Sequence, residues 1–227
     1  MKIAIVGGSS TIGQNLLKHL IKRKFKLIAT YYSNYNFKKN KNISWKKLNI
    51  NEDKKNYYKY LEYPDIVINL VWPDIPNYKL KKHFKTYNIQ KNFNYNLIKN
   101  GLKNLIVLGT CYEYGKIKGE ISELTKEKPI TPYAISKLKL LKSLKKLKKQ
   151  KKFKFTWFRP FFVYGVNKKR STLFTLIKDF EKKKINKLKV CGNLIRDFIS
   201  MDYLSLVITK IITLNNGYGV VNVCAGK

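Results

Sequence analysis

A short apolar run lies directly before a glycine-rich turn at the start of the chain, a combination typical of a strand that bends sharply into a helix. Residues 3–6 (IAIV) are predicted as a buried strand, and residues 7–13 (GGSSTIG) follow at once. Gly7 permits the tight turn, and Gly13 lets the helix approach the sheet closely. The helix N-terminus would offer free N–H groups to a pyrophosphate. The turn therefore predicts a dinucleotide site, although a glycine cluster alone is weak support.

Strands and helices alternate along the rest of the chain. Predicted strands cover residues 2–6, 26–31, 43–48, 66–71, 105–108 and 153–158, and predicted helices cover residues 11–24, 53–61, 80–100 and 133–149. This alternation predicts a parallel sheet with helices on both faces. The length of 227 residues suits one domain, or one domain with a small appendage. We predict an α/β, Rossmann-like doubly wound fold, with residues 1–165 as the dinucleotide-binding domain and residues 166–227 as an interleaved substrate-binding region.

Tyr133 and Lys137 form a second motif, at a predicted helix entry that Pro132 suits. Four residues apart on a helix, both side chains lie on one face. An ammonium beside a phenol favours the phenolate, so we expect Lys137 to lower the Tyr133 pKa from its ordinary value of about 10. Tyr133 could then exchange a proton with a substrate hydroxyl or carbonyl. An ordinary surface pair in a lysine-rich helix is the alternative for this motif taken in isolation.

The net charge of +35 restricts the choice of partner. The excess is spread along the whole chain and is almost all lysine, with only four arginines. Proteins that bind nucleic acid usually also use arginine side chains, which make paired hydrogen bonds to the bases. We therefore consider nucleic acid an unlikely partner. A basic surface would still raise the local concentration of an anionic nucleotide ligand.

Cysteine and histidine positions argue against a metal or disulfide framework. Cys111, Cys191 and Cys224 are odd in number and widely spaced, and match neither pattern. His19 and His83 occur in lysine-rich stretches, so we expect both at the surface and no metal site.

Targeting signals are also not expected. No apolar run approaches the ~20 residues that span a bilayer, and a strand that begins at Lys2 leaves no room for a signal peptide. We therefore expect no membrane partner and a cytoplasmic location.

The loop after the second strand bears on the choice of nicotinamide cofactor. An NAD-preferring site often places a carboxylate there, but no acidic residue occurs before residue 52. The loop offers Tyr32 between Tyr31 and Ser33, followed by Lys38 and Lys39. These residues favour a 2′-phosphate, so we predict NADP(H), with NAD(H) possible.

Together these motifs strongly resemble the extended short-chain dehydrogenase/reductase family of nucleotide-sugar epimerases, dehydratases and reductases. The glycine turn resembles the family's Gly-x-x-Gly-x-x-Gly, with Ser10 in place of the central glycine. The resemblance implies a cofactor site made of Gly7, Ser10, Thr11, Ile12, Gly13, Tyr32, Asn49, Ile50, Leu70, Val71, Asn88, Tyr133, Lys137 and Pro160.

Three further segments resemble the catalytic and substrate motifs of that family. They are residues 108–115 (LGTCYEYG), 159–165 (RPFFVYG) and 196–202 (RDFISMD). The resemblance implies that Thr110, Tyr133 and Lys137 are catalytic, and that Arg196 meets the substrate diphosphate. It further implies a substrate site made of Thr110, Cys111, Tyr112, Phe162 and Arg196, where Phe162 replaces the family's usual asparagine.

Departures from the family pattern narrow the implied reaction. The 4,6-dehydratases follow the catalytic threonine with Asp-Glu, whereas Cys111 and Tyr112 stand here, so we reject dehydration. The motifs look most like the branch that reduces 4-keto-6-deoxy nucleotide sugars. A nucleotide-sugar 4-epimerase that uses bound NAD is the alternative, and an inactive member that binds RNA or another polyanion is the second alternative.

The resemblance also bears on assembly and on the C-terminal region. Family members usually continue for several dozen residues past the point that matches residues 222–226, so we expect a small, truncated substrate-binding region. The family further suggests a homodimer through the helices predicted at residues 80–100 and 133–149.

Overall fold

The computed structural model describes residues 1–33, 40–52, 54–117, 119–165, 173–187 and 195–226. The strands are β1 (Lys2–Val6), β2 (Lys26–Tyr31), β3 (Ile43–Lys47), β4 (Ile66–Asn69), β5 (Asn104–Leu108), β6 (Lys154–Pro160), β7 (Phe162–Tyr164), β8 (Phe198–Ser200) and β9 (Gly219–Val223). The helices are α1 (Thr11–Leu20), α2 (Tyr57–Tyr60), α3 (Lys82–Lys99), α4 (Pro132–Gln150), α5 (Leu173–Glu181) and α6 (Met201–Leu214), and Cys111–Tyr114 form a 3-10 helix.

Seven strands form one parallel sheet in the order β3-β2-β1-β4-β5-β6-β9. The order runs outward from β1 in both directions, so the carboxyl ends of β1 and β4 flank a topological switch point. Ligands of open α/β sheets bind in the crevice at such a point. The predicted Rossmann-like, doubly wound fold is confirmed.

Side chains of the central strands alternate between two apolar layers. On β1, Ile3 and Ile5 belong to the layer covered by α1 and α6, and Ala4 and Val6 belong to the layer covered by α3 and α4. Because both faces are covered, the strand is apolar at every position from residue 3 to residue 6 instead of alternating with polar residues. This arrangement leaves the strand ends, not the faces, for a binding site.

Three of the main helices begin at a side-chain cap. Ser10, Thr131 and Ser200 each accept a hydrogen bond from the backbone N–H three residues later. A serine or threonine oxygen at this position satisfies a donor that the helix leaves free. The cap at Thr131 fixes where α4 begins, and therefore where Tyr133 stands.

Element boundaries differ most from the sequence-based expectation in two helices. The structure ends α1 at Leu20 instead of residue 24, and it shortens the helix predicted at residues 53–61 to Tyr57–Tyr60. Asn56 caps α2 late, and Glu62 and Tyr63 adopt positive φ angles that stop it. The late cap and the two positive φ angles leave one helical turn in this lysine-rich segment.

The C-terminal residues contribute to two structural units. The short strands β7 and β8 pair in parallel beside the main sheet, while β9 joins its edge and α6 packs against α1. The proposed division into residues 1–165 and 166–227 stays a prediction. Within the described ranges, no helix is long and apolar enough to cross a membrane.

Candidate active site

At the carboxyl end of β1, the glycine turn packs closely against the first turn of α1 and against β2. Gly7 has a φ of 89°, and its N–H donates to Thr30 Oγ1 at 3.0 Å. A Cβ on Gly13 would lie 2.4 Å from the Gly7 carbonyl oxygen, and one on Gly8 would lie 2.8 Å from Ala29 Cβ. Such a cradle, which a Cβ would fill, fits the pyrophosphate of a dinucleotide at the N-terminus of α1.

Other residues predicted to contact the cofactor spread along the same sheet edge. Leu70 and Val71 follow β4, Asn49 and Ile50 follow β3, and Pro160 ends β6. Thr11 and Ile12 open α1 directly after its Ser10 cap. Tyr32 follows β2 and is 63% exposed. Lys38 and Lys39, on which the NADP(H) prediction depends, lie outside the described residues.

A buried amide cluster fixes the end of β4. Asn69 Nδ2 donates to Gln90 Oε1 at 2.8 Å and to Asn94 Oδ1 at 3.1 Å. Gln90 Nε2 donates to the Val71 carbonyl oxygen at 2.6 Å. Asn88, predicted as a cofactor residue, is exposed on α3. Sequence reasoning named neither Gln90 nor Asn94, although both recur at helical spacing with the apolar residues of α3.

Thr110, Tyr133 and Lys137 converge at the carboxyl end of β5. Their exposed fractions are 6%, 5% and 3%, which excludes an ordinary surface pair on α4. The Thr110 side chain is close enough to Tyr133 to act on its pKa, and Lys137 Nζ donates to the Leu108 carbonyl oxygen at 2.6 Å. The structure thus brings together all three residues predicted as catalytic.

Burial controls the protonation of this group. It raises the pKa of Tyr133 well above its ordinary value, with a further contribution from Tyr78, which corrects the expectation that Lys137 would lower it. Burial also lowers the pKa of Lys137 to about 7, against the attraction of Glu113. Lys137 Nζ lies 5.9 Å from the Tyr133 ring centroid. Tyr133 is therefore a phenol, suited to donate a proton.

Aromatic side chains enclose Tyr133. Its ring centroid lies 5.2 Å from Tyr78, 5.4 Å from His83 and 5.9 Å from Trp72. The Tyr133 backbone N–H also donates to the Tyr78 carbonyl oxygen at 3.1 Å. The segment between β4 and α3 therefore covers the phenol and restricts where a reacting group can approach it.

His83 is fully buried, so the prediction of a surface position was wrong. Trp72 Nε1 donates to His83 Nδ1 at 3.1 Å, and His83 Nε2 lies 3.0 Å from the Asn77 carbonyl oxygen. The lysines beside His83 suggested solvent, but His83 shares the inward face of α3 with Thr86 and Gln90. His19 is partly exposed and pairs with Asp202 at 2.8 Å.

Sequence reasoning missed a buried charge pair that is hydrogen-bonded to the backbone of Thr110. Glu113 accepts from Arg159 Nε at 2.8 Å, from Trp157 Nε1 at 3.0 Å and from the Thr110 backbone N–H at 3.0 Å. Burial raises the Glu113 pKa, and Arg159 opposes that rise. Arg159 Nη2 reaches Glu127 at 2.7 Å. A charged residue inside the apolar segment of β6 was the available sequence clue.

Three of the residues predicted to contact the substrate lie in one cluster. Tyr112 and Phe162 meet edge to face at 5.8 Å, and the Arg196 guanidinium lies 4.7 Å from the centroid of the Phe162 ring. Burial raises the pKa of both Cys111 and Tyr112 to about 12, so neither ionises near neutral pH. The rejection of the dehydratase reaction stays a prediction.

The described residues contain no ready-made site for a metal ion. No group of three or more His, Cys, Asp or Glu side chains is placed to hold an ion there. Cys111 and Cys224 are free thiols, and Cys191 lies outside the described residues.

Similarity to known proteins points in the same direction as this geometry. The pattern of the NAD dependent epimerase/dehydratase family matches residues 3–224. A curated relative, dTDP-6-deoxy-L-talose 4-dehydrogenase (NAD(+)) of Aggregatibacter actinomycetemcomitans, is 25% identical over 235 residues. That alignment covers all of this chain and 85% of the relative.

Solved structures of nucleotide-sugar epimerases share the fold. UDP-glucose 4-epimerase of Thermotoga maritima superposes with a TM-score of 0.83 at 19% identity, covering 100% of this chain and 78% of that one. UDP-N-acetylglucosamine 4-epimerase of Methanobrevibacter ruminantium gives 0.82 at 20% identity, covering 100% and 77%. The match to the family pattern runs through nearly the whole sequence, and the chain belongs to the NAD-dependent epimerase/dehydratase family.

Proposed function

We propose that this protein is an NAD(P)-dependent oxidoreductase that reduces the C4 ketone of a 4-keto-6-deoxy nucleotide sugar. The observation that carries the proposal is the convergence of Thr110, Tyr133 and Lys137, all buried, at the edge of the sheet that also carries the glycine turn. The name of the curated relative, a 4-dehydrogenase of a 6-deoxy nucleotide sugar, supports the same position and sugar class.

The chain's own residues would bind and protonate the ketone. The Thr110 and Tyr133 hydroxyls, which lie close together, would both donate to the ketone oxygen. A bound reduced nicotinamide would supply the hydride that forms the new C–H bond at C4. Tyr133, kept protonated by burial, would give its proton to the oxygen and complete the alcohol. Lys137 would then stabilise the phenolate that Tyr133 becomes.

The glycine turn would hold the cofactor pyrophosphate. Gly7 and Gly13 fit this role because their backbone approach leaves no space for a side chain. We propose NADP(H) over NAD(H) because Tyr31, Tyr32 and Ser33 offer no carboxylate after β2. The name of the curated relative carries NAD(+), which makes NAD(H) the alternative to test.

The substrate would lie against the cluster of Tyr112, Phe162 and Arg196. A guanidinium stacked on an aromatic ring keeps its N–H edges available for a diphosphate. The net charge of +35 would further favour the binding of an anionic nucleotide sugar at this cluster.

The test is reduction of a dTDP-4-keto-6-deoxyhexose by the purified chain with NADPH or NADH. We expect nicotinamide oxidation coupled to a product with two more hydrogens. Tyr133→Phe should keep cofactor affinity and lose roughly 100-fold or more in turnover, since it removes the proton donor. Tyr63→Phe, an exposed tyrosine before β4, is the matched control. Normal turnover by Tyr133→Phe would remove Tyr133 from the mechanism, and no turnover with this substrate class would overturn the proposal.

A nucleotide-sugar 4-epimerase is the second candidate, and the fold it shares with the Thermotoga maritima 4-epimerase favours it. An epimerase returns the hydride that it removes, so it interconverts C4 epimers without net cofactor consumption. Incubation with UDP-glucose or UDP-N-acetylglucosamine, followed by separation of the epimers, distinguishes the two. Epimer formation with no net nicotinamide oxidation would favour the second candidate.

A further inference from the structure

Trp72 is the nearest aromatic ring to the ammonium of Lys137 in the described part of the chain. Lys137 Nζ lies 4.2 Å from the Trp72 ring centroid, against 5.9 Å from Tyr133 and 6.0 Å from Trp157. Lys137 also donates to the Leu108 carbonyl oxygen. At this distance the indole face attracts a cation, and the attraction is strongest where water is excluded.

His83 holds the indole in this orientation. Trp72 Nε1 donates to His83 Nδ1, so the proton of a neutral imidazole lies on Nε2, which faces the Asn77 carbonyl oxygen. This chain of hydrogen bonds begins and ends in the segment between β4 and α3, and His83 of α3 is its middle member. Because His83 and Trp72 are both buried, neither partner is replaced by water.

The charged and titratable groups facing Lys137 come from several elements. Glu113 on the 3-10 helix attracts its ammonium, and Arg159 of β6 partly neutralises Glu113. Tyr133 faces it from the same helix. Burial favours the neutral amine of Lys137. The indole face of Trp72 and Glu113 both favour the ammonium, and they therefore oppose this effect of burial.

We propose that Trp72 is a positioning residue that keeps Lys137 an ammonium beneath Tyr133, and that His83 fixes Trp72 for this purpose. This inference rests on the proposed function only for its catalytic consequence. The contact itself concerns the protonation of one lysine in the free protein.

The experiment measures the Lys137 midpoint directly. The full chain is labelled with 13C at lysine Cε and titrated by NMR, and the signal missing from Lys137→Met identifies the residue. Trp72→Leu should lower the midpoint by about 1.5 units, the size of a desolvated cation–π contact. Trp72→Phe keeps an aromatic face and should lower it less. His83→Leu, which frees the indole, should fall between the two.

Trp45→Leu is the matched control because Trp45 lies on β3, at the far edge of the sheet. It should leave the Lys137 midpoint unchanged. An unchanged or raised midpoint in Trp72→Leu would overturn the proposal, as would equal shifts in Trp72→Leu and Trp72→Phe. If Trp72→Leu does not fold, the order of the Lys137 midpoints in Trp72→Phe, His83→Leu and Trp45→Leu still tests the proposal.

Turnover provides the second readout. In an active enzyme, the acidic or alkaline limb of kcat against pH should move with the Lys137 midpoint in each variant. An enzyme whose limb stays fixed while the midpoint moves would contradict the positioning role. Absence of nicotinamide turnover in the unmodified chain would contradict the proposed function instead, and the NMR result would stand independently.

Discussion

Arg159 donates from Nε to Oε2 of Glu113 across 2.8 Å, and both side chains are completely buried. The same carboxylate accepts the backbone N–H of Thr110 at 3.0 Å. The proposed catalytic hydroxyl is therefore tied to β6 through a charge pair, and not merely to its own 3-10 helix. This relationship makes the stability of the fold and the geometry of the site interdependent.

Glu113→Ala should destabilise the protein by up to about 3–5 kcal/mol, because it leaves the buried Arg159 guanidinium with only the partly exposed Glu127 carboxylate to balance its charge. Urea unfolding measures this loss. Glu120→Ala, an exposed carboxylate in the loop that follows, is the control and should change little.

The double variant Glu113→Leu, Arg159→Met separates positioning from folding. Replacing both charges by apolar groups should recover most of the lost stability. Turnover should stay low, since the Thr110 N–H has lost its acceptor and the hydroxyl its fixed direction. Recovery of both stability and turnover would show that Glu113 only balances the charge of Arg159.

Gly13→Ala should weaken both the fold and cofactor binding. Its Cβ would lie 2.4 Å from the Gly7 oxygen and 2.7 Å from the Gly8 oxygen, so α1 must move away from the turn. We expect a loss of about 1–3 kcal/mol, typical of overpacking, and a clear drop in NADPH and NADH affinity by fluorescence titration. Gly119→Ala has open space around its Cβ but a φ of 85°, so it controls for the backbone strain of replacing a glycine away from the turn and should leave dinucleotide affinity unchanged. Unchanged dinucleotide affinity in Gly13→Ala would place the cofactor elsewhere.

Much of the architecture was predictable from periodicity. Strands buried on both faces are continuous apolar runs, as in residues 3–6, and their alternation with helices specifies a parallel sheet. The Tyr133 and Lys137 spacing places both side chains on one face of α4 because a helical turn has a fixed length. Local rules of this kind need no knowledge of distant contacts.

What could not be predicted depends on residues far apart in sequence. Glu113 and Arg159 meet through the pairing of β5 with β6, and no spacing rule joins them. His83 is buried by Trp72, although its sequence neighbours are lysines. The direction of the Tyr133 pKa shift depends on how deeply α4 packs, which a spacing of four residues does not reveal.

Lys137→Met should stabilise the protein most at low pH. The Lys137 pKa is about 7 in the fold against 10.5 for the ordinary side chain, so between these values the unfolded chain binds the extra proton. Wild-type stability should therefore rise as pH increases from 7 to about 10.5, and the penalty is fully present below 7. We expect the variant to gain a few kcal/mol at most near neutral pH, at about 1.4 kcal/mol per unit of pKa difference, and to converge on wild type at high pH. Lys142→Met, an exposed lysine on the same helix, controls for the loss of one positive charge. Urea unfolding across this range gives the comparison, and a constant difference between Lys137→Met and Lys142→Met at every pH would show that the Lys137 pKa is the same in the folded and the unfolded chain.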